Sequence, residues 1–366
     1  MSKIVFDDYP LGKTTLNNRI AMAPMTRSRA INNIPNELMA EYYGQRAGAG
    51  LIITEGTAPS PNGLGYARIP GIYSDEQVEG WKLTTNAVHE KGGTIFLQIM
   101  HTGRVSHPSN MPAGARVVAP SAVGIKNSEM WTDEDGNQPY PVPEALSAAD
   151  LKATIEEYVT AAKNAIAAGF DGVELHAANG YLLEQFIHPD TNQRTDDYGG
   201  SVENRLRFVL EVAEQVVAAI GAERTAIRVS PYGVFNELSP SYDGMEDAYI
   251  TLASRLSDLG LVYLHLVDHS SMGTPEVPDS FKKKLKESFK NTFILSGGYD
   301  LERAENDLQA DKGGLVAIGR PWIANPDLVE RFKEGAEVQT PDQNTFYTPG
   351  AEGYTDYPSL AEKETA

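Results

Sequence analysis

The chain predicts an α/β fold, a (β/α)8 TIM barrel, and three features carry that prediction. Short apolar runs alternate with helix-like stretches from Arg19 to Glu334, the order of a closed parallel sheet wrapped by helices. The runs are near-continuous in Val, Ile, Leu and Thr, as strands covered on both faces require. No GxGxxG fingerprint follows the first run, which disfavours the competing open, doubly wound sheet. A simple length rule would divide 366 residues into several domains, but α/β barrels reach this size as one unit. A single domain over residues 1–366 is expected.

The elements follow in order. Ile4–Leu16 reads as a small hairpin, with its turn near Pro10-Leu11-Gly12, placed to plug the barrel floor. Strands are expected at Arg19–Pro24, Leu51–Thr57, Thr94–His101, Gly172–Ala177, Ala226–Pro231, Tyr263–Val267, Phe293–Gly297 and Leu315–Arg320. The helices between and after them are Glu37–Gly48, Asp75–Lys91, Ser147–Gly169, Ser201–Ile220, Met245–Gly260, Ser280–Lys290, Asp300–Leu308 and Pro326–Glu334. Ser147-Ala148-Ala149-Asp150 opens the third of these like a capping box, and Gly169 ends it. Val105–Leu146 is too long for an ordinary βα loop. It lies on the catalytic side of a barrel, and residues 105–146 are expected to act as a lid. The tail, residues 335–366, carries Phe346, Tyr347, Tyr354 and Tyr357 and is expected to pack on the barrel.

Composition excludes several function classes. The net charge of -19 repels nucleic acid and anionic membrane surfaces. It would also repel an anionic small-molecule substrate, for which local arginines would have to offset the field. The absence of cysteine removes disulfides, thiolate metal sites, iron–sulfur clusters and catalytic thiols. The polar N-terminus, interrupted by Pro10 and Gly12, lacks a signal-peptide core, and no apolar run approaches a membrane span. A cytoplasmic location is expected. The histidines show no metal-ligand spacing.

The stretch Gly172-Val-Glu-Leu-His176-Ala-Ala-Asn179-Gly-Tyr181 carries the chemistry. Alternation along a strand puts Glu174 and His176 on one face and Val173 and Leu175 on the other. His176 then faces the barrel mouth, with Asn179 and Tyr181 in the turn beyond it. His and Asn can each donate a hydrogen bond to one substrate oxygen. Tyr, with an ordinary pKa of about 10, is suited to donate a proton. A core histidine satisfied by its neighbours is the competing reading of His176. Thr26, at the end of the first strand, can bond a cofactor ring or merely cap a turn. Gln98 suits the edge of an amide-like heterocycle. Arg228 is a charge inside an apolar strand and needs a partner; an anionic cofactor ring and Glu174 are the two candidates. Gly297-Gly298-Tyr299 and Gly319-Arg320 follow the seventh and eighth strands, where barrels often bind phosphate. His101, His107, His188, His265 and His269 receive no role.

These residues resemble the old yellow enzyme family of flavin-dependent ene-reductases. The nearest likeness is to the bacterial-type branch of N-ethylmaleimide and pentaerythritol tetranitrate reductases. The likeness runs through Asn18–Arg27, Glu41–Arg46, Gln98–Arg104, His176–Leu183, Asn192–Arg205 and Ala351–Pro358. It implies a non-covalent FMN across the barrel mouth, reduced by NADPH or NADH. Pro24, Met25, Thr26, Ala58, Gln98 and Arg228 would surround the ring. Gly297, Gly298, Tyr299, Gly319 and Arg320 would hold the phosphate. His176 and Asn179 would grip the activating oxygen of an alkene, Tyr181 would protonate it, and Tyr66 and Tyr347 would line the substrate pocket. The implied cycle is ping-pong, with hydride passing from nicotinamide to flavin N5 and then to the β-carbon. Enones, maleimides, nitroalkenes and nitrate esters are the substrate classes this implies, in a monomer or homodimer. Met100 departs from the Trp usual in close bacterial relatives, which implies a roomier substrate pocket. Related flavin barrels with iron–sulfur clusters need cysteines that this chain lacks. A barrel lyase would need a Schiff-base lysine or a metal site. A flavin-binding barrel with little turnover is the remaining alternative.

Overall fold

A computed structural model describes residues 3–364; of the expected 1–366 span, the first two and last two residues lie outside the described residues. Along the chain come β1 (Tyr9–Leu11), β2 (Thr14–Leu16), β3 (Ile20–Met22), α1 (Glu37–Gln45), β4 (Leu51–Ile53), α2 (Asp75–His89) and β5 (Ile95–Ile99). The long segment after β5 holds β6 (Val118–Ala119), β7 (Glu129–Thr132), β8 (Gly136–Pro139) and β9 (Glu144–Ala145). Then follow α3 (Ala148–Ala167), β10 (Gly172–Ala177), α4 (Leu182–Ile187), α5 (Val202–Ile220), β11 (Thr225–Val229), α6 (Met245–Asp258), β12 (Tyr263–Val267) and α7 (Asp279–Glu287). The chain finishes with β13 (Thr292–Ser296), α8 (Leu301–Gln309), β14 (Leu315–Ile318), α9 (Pro321–Ala324), α10 (Leu328–Glu334) and α11 (Leu360–Glu364).

The eight expected strands close into a parallel barrel, in the order β3-β4-β5-β10-β11-β12-β13-β14. None is longer than its sequence span, and β11 and β13 each begin one residue earlier than expected, at Thr225 and Thr292. The helices start where their caps dictate. Ser147 and Asp150 form the expected capping box of α3, and Ser201 and Asp300 cap α5 and α8.

Residue alternation sorts the strands into two environments. Val173, Leu175, Ile227, Leu264 and Leu295 face the helices in the large outer core. Ala21, Leu51, Phe96, Ala226, Tyr263, Ile294 and Leu315 fill the barrel's lower interior. The floor hairpin β1–β2 contributes Leu11 and Leu16 to that same cluster. Its turn is Gly12-Lys13, not Pro10-Leu11-Gly12: Pro10 pairs with Thr15 inside the ladder, and Gly12 takes the left-handed φ of 57° that a tight two-residue turn favours. Pro can sit there because a two-stranded ribbon leaves one side of each strand without a partner.

Higher in the barrel the interior becomes polar. His176 pairs in register with Arg228, and Arg228 with His265. One level below, Gln98 pairs with Glu174. This polar tier sits at the C-terminal mouth. The segment after β5 bends over it and carries the hairpin β7–β8, with Met130 and Thr132 buried beneath. Among the described residues no helix is long and apolar enough to cross a membrane.

Candidate active site

A cavity of about 1100 Å³ opens at the strand C-termini. Pro24, Met25 and Thr26 from the β3 end, Gln98 and Met100 from β5, His176 from β10 and Arg228 from β11 line it. Asn179, Tyr181 and Tyr66 stand over these groups, and Met130, Trp131 and Tyr347 form the outer rim. Trp131 and Tyr347 are exposed there, at 57% and 61%.

His176 is buried. Its Nδ1 accepts the Ala178 amide N–H at 3.3 Å, so a neutral ring carries its proton on Nε2. Burial, followed by the nearby Arg228, holds the ring's pKa well below its ordinary value. The ring stands edge-on to Tyr181, with centroids 4.9 Å apart. This histidine is therefore not a core residue satisfied on both nitrogens.

Asn179 adopts a left-handed φ of 59°, which Asn tolerates better than most residues. The turn is pinned at both main-chain groups: the amide donates to Ser230 Oγ at 2.8 Å, and the carbonyl accepts from Asn236 Nδ2 at 2.7 Å. The Tyr181 hydroxyl lies 2.9 Å from that of Tyr66, and burial pushes its pKa up to about 12. Glu184, one helical turn on, anchors the bend by accepting from the Gly180 amide, Ser230 and Tyr249.

Beneath this turn, Gln98 Nε2 donates to Glu174 Oε1 at 2.7 Å. Glu174 spends its second oxygen on His265 Nδ1, 2.9 Å away. Burial raises the carboxyl's pKa, but His265 and Arg228 outweigh that and hold it below the ordinary value. Glu174 thus hydrogen-bonds to His265, whose own pKa burial lowers, and among the described residues it makes no hydrogen bond or ion pair with Arg228. Among the described residues Arg228 Nε is buried without a hydrogen-bond partner, a cation available to an electron-rich ring. The residues fit a flavin: an amide oxygen from Gln98, a hydroxyl from Thr26 and an unspent guanidinium face one cavity.

Other expected site residues lie differently. Ala58 is fully buried in a satellite cluster with Met100. Its amide donates to the Pro70 carbonyl and its carbonyl accepts from Ile72, so it backs the wall and Gly56 lines the cavity instead. Of the phosphate group, only Arg320 lines the cavity. Gly297, half-buried with φ 132°, has no room for a Cβ against the Asp268 carbonyl. Gly298 is exposed, and Gly319 sits beside Met25. The Tyr299 hydroxyl donates to Asp307 at 2.8 Å, which leaves the main chain of this residue, not its phenol, to meet a phosphate.

Several cavity residues escaped the sequence reading, and three of them make contacts that bear on the site. His269, beyond β12, places Nε2 2.7 Å from Asn179 Oδ1; only its position past a strand end hinted at this. Arg68 donates to the Ser28 and Tyr347 carbonyls and pairs with Asp133. Phe346 enters the cavity from the tail, where Arg27 and Arg29 both bond its carbonyl.

Comparison with known proteins agrees with this architecture. Residues 5–339 match the model of the NADH:flavin oxidoreductase / NADH oxidase family. The chain is 40% identical over 379 residues to 12-oxophytodienoate reductase 7 of Oryza sativa subsp. japonica, covering 99% of this chain and 96% of that one. It is 42% identical over 354 residues to the "Probable flavin mononucleotide-dependent alkene reductase" of Leishmania infantum, covering 96% of each. Among solved structures, morphinone reductase superposes with a TM-score of 0.94 at 45% identity, over 99% of this chain and 98% of that one. The old yellow enzyme homologue from Zymomonas mobilis gives 0.92 at 42%, over 97% and 99%. A polar mouth built on a parallel barrel, matched over nearly its whole length by flavin-dependent reductases, places this chain in the NADH:flavin oxidoreductase / NADH oxidase family, among the old yellow enzymes.

Proposed function

We propose that this FMN-dependent, NAD(P)H-driven alkene reductase takes alkenes conjugated to a carbonyl or nitro group, with His176, Asn179 and Tyr181 doing the protein's part of the chemistry. The observation that carries the assignment is the convergence of His176, Asn179 and Tyr181 on one cavity with the free Arg228 guanidinium. Bound FMN supplies the relay by which hydride from the reduced nicotinamide reaches the alkene. Arg228, Gln98 and Thr26 hold the ring, Pro24 and Met25 border it, and Arg320 with the main chain at Gly297–Tyr299 and Gly319 holds the phosphate.

The protein then polarises and protonates. His176 donates from Nε2–H and Asn179 from its amide to the activating oxygen, stabilising the negative charge that gathers there. Tyr181 delivers its hydroxyl proton to the α-carbon. Tyr66, hydrogen-bonded to Tyr181, fixes the direction of that hydroxyl. Met100 and Tyr347 bound the substrate space. Residues 105–146 act as a lid and residues 335–366 as a tail on one FMN-binding domain. Xenobiotic alkenes, and nitrate esters as a separate substrate class, in the cytoplasm complete the reading, in a monomer or homodimer.

An anaerobic absorbance titration tests it. NADPH or NADH should bleach the flavin band, and 2-cyclohexenone should restore it. Bleaching without recovery would remove the alkene from the reading and favour a flavin barrel with little turnover.

A further inference from the structure

We propose that His269 is a positioning residue that selects which end of the Asn179 side-chain amide meets the substrate, an inference that rests on the oxygen grip proposed above. The amide is nearly symmetric in shape but not in polarity: Oδ1 only accepts and Nδ2 only donates. A substrate oxygen gathering negative charge needs the Nδ2 end. The bonds from Ser230 and Asn236 hold the main chain of Asn179 and leave the side-chain amide free to turn over. His269 supplies the missing constraint from a different barrel unit, with Nε2 2.7 Å from Asn179 Oδ1. Phe235 packs edge-on against the imidazole, with centroids 4.5 Å apart, so the ring has a fixed plane. Burial, followed by Arg228, pushes its pKa down to about 4, which leaves one ring proton at neutral pH. With that proton on Nε2, His269 donates to Oδ1 and turns Nδ2 toward the cavity that both residues line. His176 reaches the same polarity by another route, through the Ala178 amide on its Nδ1. Both donors of the grip are thus oriented by neighbours and not by the substrate.

The test uses FMN-loaded protein and two readouts: the dissociation constant of a phenol, from its long-wavelength absorbance with the flavin, and KM and kcat for 2-cyclohexenone. His269→Gln keeps a donor near the former Nε2 and is expected to stay within about twofold of the parent. His269→Leu frees the amide, and phenol affinity and KM should each worsen about fivefold, the scale of one hydrogen bond, with kcat little changed. His269→Glu has the shape of the Gln variant but only accepts when ionised. It should draw Nδ2 away from the cavity and bind phenol worst. In an Asn179→Ala background the His269 substitutions should lose their effect. A Gln variant as poor as the Glu variant, or a Leu loss that persists without Asn179, overturns the proposal. Should His269→Leu fail to retain flavin, the Gln and Glu pair decides. If Asn179→Ala itself leaves phenol binding intact, the oxygen grip falls and this role with it. If Asn179→Ala weakens binding and His269→Leu does not, the grip stands and only the role of His269 falls.

Discussion

At Tyr181, the burial that shapes the pocket also keeps the proton on the phenol. A pKa of about 12 means that the acid form predominates through neutral pH and is lost only as pH rises toward that value. Alkene reduction should therefore be flat from about pH 6 to about pH 10 and fall above. His176, held neutral far below its ordinary pKa, should add no acid limb in that range. A pH profile of the oxidative half-reaction checks both. Tyr181→Phe should slow that half-reaction about 100-fold or more while flavin reduction by the nicotinamide persists, as stopped-flow absorbance would resolve. At this scale the strand-plus-turn pattern marked His176, Asn179 and Tyr181, because alternation on a strand is a local property. His269 showed only its place past a strand end, since its contact lies 90 residues away in sequence. The Glu174–His265 pair was equally hidden, and Arg228 was read with an ambiguous partner for that reason.

At the scale of elements, α4 is one helix that sequence periodicity overlooks. Leu182–Ile187 is buried at every position, so it shows no polar face to betray a helix. Its Glu184 is an ionisable group in the core, with burial raising its pKa to about 7. A carboxyl raised in the folded state binds its proton more tightly there than in the unfolded chain. Its contribution to stability is full below the unfolded value, near 4.5, and is lost as pH climbs to about 7. The loss is on the order of 3 kcal/mol. Denaturation of the parent and of Glu184→Gln across that window should show the parent losing stability relative to the variant. The β7–β8 hairpin offers a second case. Arg68 joins Asp133 on the hairpin to the Tyr347 carbonyl on the tail, spanning the mouth. Arg68→Ala should speed amide hydrogen exchange over residues 129–139 and raise KM a few-fold. Unchanged exchange would mean that the hairpin is held by Met130 and its apolar neighbours alone.

Over the whole molecule, the net charge of -19 confronts an anionic nicotinamide substrate. The second-order rate of flavin reduction should rise with ionic strength at constant pH, because salt screens like-charge repulsion on approach. A rate that falls with salt would show that Arg68 and Arg320, the arginines at the mouth, dominate the local field. The charge also bears on the tail. Arg27 and Arg29 are buried cations satisfied largely by carbonyls of residues 345–353 and by the rings of Tyr42 and Tyr354, so two guanidinium groups bind the tail from below, whereas Arg46 turns mainly to the Tyr42, Trp322 and Ile323 carbonyls.

The sequence by itself determined the class of fold, the eight strands, the capped helices and the family, since these rest on periodicity, local caps and ordered motifs within the chain. It also marked the turn after β10 that brings Asn179 and Tyr181 to the cavity. Tertiary structure alone decided which polar groups face one another. It gave Glu174 to His265 and left Arg228 Nε unpaired. It turned Ala58 into wall, directed the Tyr299 phenol to Asp307 and brought His269 to Asn179. The reason is geometric: barrel closure makes neighbours of strands far apart in sequence, and hydrogen-bond partners inside the mouth depend on that register and on which loop leans inward. Neither is written in any local stretch of residues.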